Sequence, residues 1–135
     1  MIKPRQIVPE DIPWIIEVSR EAYDDRMESE AGGMAWLAST IGSDRSVTFR
    51  TDNAYCLAHV GAMPYQIHPR GEIVLLAGRQ VGGVAWELVA LGRQAIEWLS
   101  QKGVVSIRMG ENAGRDISAV ARRIGLRNWS RTYIL

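Results

Sequence analysis

The chain has 135 residues, of which 47% are hydrophobic and 23% charged, and a formal net charge of +1. That balance is typical of a globular domain and excludes a disordered or collagen-like chain. Its single cysteine, Cys56, excludes an intramolecular disulfide and zinc-finger spacing. One domain spanning residues 1–135 is expected, with about two thirds of the unfolded surface buried. No apolar run approaches the roughly 18 residues of a membrane span, and the start, with Lys3 and Arg5, lacks the apolar centre of a secretion signal. The expectation is a cytoplasmic protein with no membrane partner.

Residues 2–8 are rich in β-branched side chains and are bounded by Pro9, which predicts a first strand, at an edge because of Pro4. Asp11 is placed to cap a helix with Pro13 in its first turn, and Ile12, Ile15, Ile16, Ser19, Ala22 and Tyr23 share one face. Glu17, Arg20, Glu21 and Asp24 face away from it. A second helix is expected over residues 30–41, with Met34, Trp36, Leu37 and Ile41 as its apolar members. The acidic excess from Glu10 to Glu30 reads as a solvated helix face, or as a field that steers a cation.

At Ser46 the period changes to two. Residues 46–50 and 54–60 read as strands joined by the turn Thr51-Asp52-Asn53, and residues 61–71, with Pro64 and Pro69, read as a loop. Residues 72–77 form a near-continuous apolar run, the pattern of a central strand covered on both faces. A long helix follows over residues 84–101, its core face being Val84, Leu88, Leu91, Ala95, Ile96 and Leu99, with Glu87 outside; Gly103 ends it. A strand over 104–109, a helix over 117–124 capped by Asp116 and stopped by Gly125, and a strand over 128–135 complete the order.

Between the central strand and the long helix lies Gly78-Arg79-Gln80-Val81-Gly82-Gly83. Gly82 and Gly83 let the backbone approach a ligand closely, and the first amides of the following helix have no partner inside it. Such a corner favours an anion by geometry and by field. Neither the Walker glycine-lysine loop nor the dinucleotide glycine fingerprint is present.

Gln80-Val81-Gly82-Gly83-Val84-Ala85 matches, in register, the Gln/Arg-x-x-Gly-x-Gly/Ala loop of the GNAT superfamily of acetyl-CoA-dependent N-acyltransferases. The element order and the segments 2–13, Asn112 and Arg122-Arg123-Ile124-Gly125-Leu126 also resemble that family, across nearly the whole chain. The resemblance implies an α/β (α+β) fold with a central mixed, largely antiparallel sheet flanked by about four helices. It also implies an acetyl-CoA site: pyrophosphate on the amides of Val81, Gly82, Gly83, Val84 and Ala85 beside Gln80, the pantetheine arm along Leu75, Leu76 and Ala77, and Asn112 contributing. The acceptor implied is a small-molecule or protein amine. The resemblance places a carboxylate base at Glu72 and an oxyanion donor at the amide of Leu76 or Ala77.

The family often has a proton-donating tyrosine four residues before the Gly corresponding to Gly125, and Ala121 occupies that position. Tyr133 and Ser118 are the substitutes, although an aromatic in a terminal strand also reads as core. His59 and His68 read as strand and loop residues, and no metal set is evident. Of the tryptophans, Trp98 falls off the predicted core face and Trp86 sits beside the loop, a pattern that marks a ligand surface or an interface with itself or a larger assembly. A competing expectation is a silent fold member serving as a binding or structural component, as in some phage virions. No basic helix face supports a nucleic-acid partner.

Overall fold

The computed structural model describes residues 2–23, 29–61, 67–110, 118–129 and 132–134. Strand β1 (Arg5–Gln6) leads through a 3-10 turn (Pro9–Asp11) into α1 (Ile12–Tyr23) and α2 (Glu30–Thr40). Strands β2 (Ser46–Arg50), β3 (Ala54–Gly61) and β4 (Arg70–Gly78) follow, then α3 (Val84–Gln101), β5 (Ile107–Gly110), α4 (Ser118–Arg123), β6 (Arg127–Trp129) and β7 (Thr132–Ile134). The seven strands form one sheet in the order β1-β2-β3-β4-β5-β7-β6. Every neighbouring pair is antiparallel except β4 with β5.

Period-two alternation divides the central strands between two cores. Cys56, Ala58, Ile73 and Leu76 pack under α3 and α4 with Leu91, Ala95 and Leu99. Tyr55, Leu57 and Ala77 pack under α1 and α2 with Ile12, Ile15, Ile16, Val18 and Leu37. Each fully buried Leu or Ile contributes roughly 1.5–3 kcal/mol of transfer free energy. Two buried hydroxyl pairs tie the second layer to the sheet: Ser19 Oγ with Tyr55 OH at 2.7 Å, and Thr40 Oγ1 with Thr48 Oγ1 at 3.0 Å. Burial pushes the Tyr55 phenol and the Cys56 thiol each up to about 12, so neither ionises near neutral pH.

Several expected boundaries move. The first strand shrinks to two residues, because β1 is an edge that pairs β2 only at Arg5↔Arg50 and Gln6↔Phe49. The segment expected as a loop over 61–71 gives Gly61 to β3 and Arg70 and Gly71 to β4; residues 62–66 lie outside the described part. The expected strand 128–135 is a hairpin of β6 and β7, paired antiparallel at Asn128↔Tyr133. The expected cap Asp116 and helix residue Ile117 lie outside the described residues. On α2 only Leu37 of the four expected apolar members is buried; Met34, Trp36 and Ile41 are exposed.

Asp11 does not cap α1 but closes the turn before it. Its carboxylate accepts from the Val8 amide at 2.8 Å and takes a two-pronged pair with Arg5, both contacts 2.8 Å, and a third from Arg50 at 3.0 Å. The Arg50 guanidinium also lies 3.5 Å from the centre of the Trp14 ring. Hydrogen bonds from Arg5, against the cost of burial and with help from Val8 and Arg50, hold the Asp11 carboxyl well below the usual carboxylate range.

Helix α3 packs closely on the segment after α4. A Cβ on Gly92 would lie 2.7 Å from Ile124 Cδ1 and 3.1 Å from its Cγ2. Gly92→Ala therefore sets a helix-propensity gain of about 1 kcal/mol against overpacking of roughly 1–3 kcal/mol. Urea unfolding should show Gly92→Ala destabilising in the native background and stabilising beside Ile124→Ala. Additive effects would remove the proposed contact.

The depressed Asp11 carboxyl stabilises the fold fully above the unfolded value of about 3.9 and loses that contribution as pH falls below it. Asp11→Asn should cost roughly 2–4 kcal/mol at neutral pH, since two cations and an amide lose a charged acceptor. The variant should also show a shallower decline in urea stability between about pH 4 and pH 2 than the parent.

Candidate functional site

Strand β4 carries one residue more than its neighbour β3. The ladder pairs Leu57 with Leu75 but Ala58 with Ile73, so Val74 is the extra residue, a bulge that bends β4 and re-aims its edge. On the opposite edge, pairing to β5 runs Gly71↔Ile107, Glu72↔Arg108 and Ile73↔Met109 and stops at the same place. Beyond it β4 continues to pair β3 as far as Gly78↔Ala54, while its ladder to β5 has ended. Among the described residues the β4–β5 ladder therefore spans Gly71 to Ile73 alone, with the wedge of β4 edge at residues 74–78 beyond it.

At the wide end of that wedge lies the glycine loop. Gly83 has φ +83° and forms the N-cap of α3 without a side-chain bond. A side chain at that φ is strained, which accounts for glycine there. A Cβ at either Gly82 or Gly83 would meet nothing within 4 Å, so no group among the described residues occupies the space in front of them. Gly78 is different: a Cβ there would lie 2.6 Å from Val84 Cγ2 and 3.0 Å from the Ala54 Cβ, so its glycine serves packing.

The loop's amides divide. Val81 N donates to Arg79 O at 3.0 Å, Val84 N to Val81 O at 3.3 Å and Trp86 N to Gly83 O at 3.1 Å. The amides of Gly82, Gly83 and Ala85 have no acceptor among the described residues. Three donors within four residues at the positive end of an 18-residue helix make a cradle that could hold an anion.

The cradle is clamped on both sides. Arg79 N donates to Asn53 O at 2.8 Å, and the Arg79 guanidinium reaches Glu17 at 3.2 Å and Glu21 at 3.5 Å on α1. From the helix side, Glu87 accepts from the Asn53 backbone at 2.8 Å and from its side-chain amide at 3.1 Å. Glu87 was expected on the outer face of α3, yet it is 8% exposed, because it caps the β2–β3 turn. Beside this clamp Lys3, Arg5, Arg50, Thr51, Gly82 and Gly83 help to line a cleft of about 510 Å³.

The expected site residues fall around this frame. Gln80, Val81 and Ala85 are exposed and Val84 half-buried at the loop; Leu75, Leu76 and Ala77 form the wedge wall. Glu72 is half-buried in the middle row of the three described for the β4–β5 ladder, with Arg108 3.6 Å away. It continues a polar row in which His59 pairs Glu72 across the ladder and takes a 2.7 Å contact through Nδ1 from Ser46 Oγ. His68 is exposed ahead of β4. Tyr133 pairs Met109, so it shares the row of Ile73 and Met109, both buried, rather than that of Glu72. Asn112 lies outside the described residues. Ala121 is fully buried in the α3–α4 core. Trp98, expected off the core, is half-buried against that same core, with the Lys102 ammonium 5.0 Å from its ring. Sequence reasoning missed Asn53, Arg79 and Val74. A turn asparagine gives no local sign of a partner 34 residues away, and a bulge is a property of two strands together.

No protein-family model matches the sequence, and no curated protein matches it. Solved structures do. A transcriptional regulator from Bacillus halodurans C-125 is 11% identical, with 94% of this chain and 93% of that one covered and a TM-score of 0.79. A putative acetyltransferase of the GNAT family from Desulfovibrio desulfuricans is 11% identical over 100% and 98%, with a TM-score of 0.76. The PaiA N-acetyltransferase from Thermoplasma acidophilum, in complex with coenzyme A, is 14% identical over 99% and 96%, with a TM-score of 0.66. These likenesses show the fold, which is that of GNAT acetyltransferases.

Removing the carboxylate of Glu87 leaves the Asn53 amide without its acceptor. Glu87→Ala should lower stability by about 2 kcal/mol. In a double-mutant cycle with Asn53→Ala the two losses should be non-additive. Independent losses would show that the clamp is not a unit.

Proposed function

We propose that residues 1–135 form one acetyl-CoA-dependent N-acyltransferase domain that passes an acetyl group to a small-molecule or protein amine by direct attack on the thioester. The observation that carries this is the β4 edge beyond the described β4–β5 ladder, leading to three amides that have no acceptor among the described residues. A fold alone does not carry an activity; these two features supply the places that a long, diphosphate-bearing thioester needs. The open space before Gly82 and Gly83 fits the cofactor, because a phosphate can approach the backbone unhindered.

Acetyl-CoA, when bound, supplies the activated acyl group. Gly82, Gly83 and Ala85 hold the diphosphate through their amides, with Gln80, Val81 and Val84 shaping the loop and Asn112 assigned to the same ligand. Leu75, Leu76 and Ala77 form the wall along which the pantetheine arm lies in the manner of an added strand. A backbone amide at Leu76 or Ala77 is assigned to the carbonyl oxygen as negative charge develops there. Glu72, whose carboxylate lies 3.6 Å from Arg108, is assigned the proton of the acceptor ammonium. Tyr133 is assigned the proton that the departing thiolate takes.

A second reading keeps the fold and the ligand but not turnover, as in a binding or assembly component such as a phage virion protein. Ala121, fully buried where the resemblance expects a tyrosine, favours it, as do the exposed Met34, Trp36 and Ile41 of α2. No helix among the described residues is long and apolar enough to cross a membrane.

Acetyl-CoA should raise the melting temperature, by the equivalent of about 2.7 kcal/mol at a hundred-fold excess over Kd. Gly82→Glu should abolish that rise without lowering the ligand-free melting temperature, because the new side chain enters open space and brings a negative charge to the cradle. The absence of any shift at millimolar acetyl-CoA would overturn the proposal. Release of free thiol across an amine panel decides between the two readings.

A further inference from the structure

We infer that the acceptor is an amine bearing a carboxylate beside its amino group, an α-amino acid, read by the Glu72–Arg108 pair. The inference rests on the N-acyltransferase reading above and adds to it the class of substrate taken at the same site.

The pair belongs to a polar floor on the sheet. Tyr55 and Leu57 of β3 pack under α1 and α2, and by period two His59 shares their face. The ladders set Ser46, His59, Glu72 and Arg108 side by side on that face, across β2, β3, β4 and β5. A second row lies two residues further out, where Gly61 pairs with Arg70 and the Arg70 guanidinium donates to Ser106 Oγ at 3.1 Å. His59, Arg70 and Arg108 are exposed, and Ser46, Glu72 and Ser106 are half-buried, so both rows are reachable from solvent. His59 is turned away from Glu72: its Nδ1 meets Ser46 Oγ at 2.7 Å, and its Nε2 lies 3.5 Å from where a Cβ on Gly61 would stand.

Spacing and charge together choose the ligand. Arg108 Nη2 and Glu72 Oε2 are 3.6 Å apart, longer than the roughly 2.7–2.9 Å of a tight charged hydrogen bond, so both groups keep bonding capacity for a third party. An α-amino acid carries its ammonium and carboxylate one carbon apart. Turned end for end it complements the pair, its ammonium meeting Glu72 and its carboxylate taking two N–H groups of Arg108. Arg70, one row out, keeps N–H groups beyond the one given to Ser106 and strengthens the field that draws the carboxylate. A polyamine or a lysine-rich protein segment fits this floor poorly. The two rows bring the guanidiniums of Arg70 and Arg108 together with the single carboxylate of Glu72, so further positive charge on the acceptor meets like charge.

Glu72 stands two residues before the β4 edge at residues 74–78, where the thioester end of the donor arrives on the acetyl-CoA reading. The ammonium gives one proton to Glu72, and its nitrogen lone pair forms the N–C bond as the C–S bond breaks. The second proton that the nitrogen sheds balances the one that Tyr133 gives to the thiolate. The N-acyl product keeps its carboxylate but has lost its positive charge, so half of the reciprocal pairing is gone and the product leaves.

The test follows release of coenzyme A from acetyl-CoA by the full chain with the common amino acids, the carboxamide of each, spermidine and a lysine-containing peptide. At least one free amino acid should be acylated with a kcat/KM about ten-fold or more above that of its carboxamide, of spermidine and of the peptide. Arg108→Gln should raise KM for that amino acid by about ten-fold and erase its preference over the carboxamide. The melting-temperature rise with acetyl-CoA should stay as in the parent, which shows that the variant is folded and its donor site intact. Arg108→Lys should restore part of the preference, because it keeps the charge and loses the two-pronged geometry. Equal or better turnover of carboxamides, spermidine or the peptide, or a preference that survives Arg108→Gln, overturns the inference and leaves the acetyl-CoA reading standing. A parent that binds acetyl-CoA but acylates none of the probes also overturns it. A parent that does not bind acetyl-CoA overturns both.

Discussion

One extra residue in β4 governs the layout of this molecule. Val74 breaks the register between β3 and β4, and the parallel ladder from β4 to β5 ends beside it. The bulge costs ladder hydrogen bonds, and the two cores offset that cost: Ile73 and Leu76 pack under α3, and Leu57 and Ala77 under α1.

The glycine loop depends on the same frame. An anion cradle made of backbone amides is useful only if the amides are held where the ligand needs them, and glycines alone supply freedom rather than position. Asn53 provides position. Its carbonyl takes the Arg79 amide, and its own amide and side chain give two bonds to Glu87, so both ends of the loop hang on one turn of the β2–β3 hairpin. A few residues away, Asp11 gathers Arg5 and Arg50 and secures β1 to the end of β2. The charges at this end of the sheet are largely spent on structure, whereas Arg122 and Arg123 on α4 pair with no carboxylate among the described residues.

The catalytic assignments rest on register more than on contact. Glu72 occupies the middle row of the described β4–β5 ladder, with Arg108 and His59 on either side, and Tyr133 occupies the last row through Met109. Ala121 could not act even if it were polar, since it is sealed in the core beneath α3. On the proposed reading a donor to the leaving thiolate comes from another residue, Tyr133 on β7 or Ser118 at the start of α4.

What the sequence determined by itself was local and periodic. The two-residue alternation of β2 and β3, the stripes of α1 and α3, the positive-φ glycines at the helix ends and the glycine loop between strand and helix are all properties of short windows, because each is set by backbone sterics and by which face a side chain takes. Tertiary structure alone decided the rest. The burial of Glu87, the true role of Asp11, the bulge at Val74 and the hairpin at the C-terminal end each depend on a partner from a distant segment. A polar residue in a window carries no sign of that partner. Whether a carboxylate is a solvated surface charge or the acceptor that fixes a binding loop is settled only when another strand brings an amide within 3 Å of it.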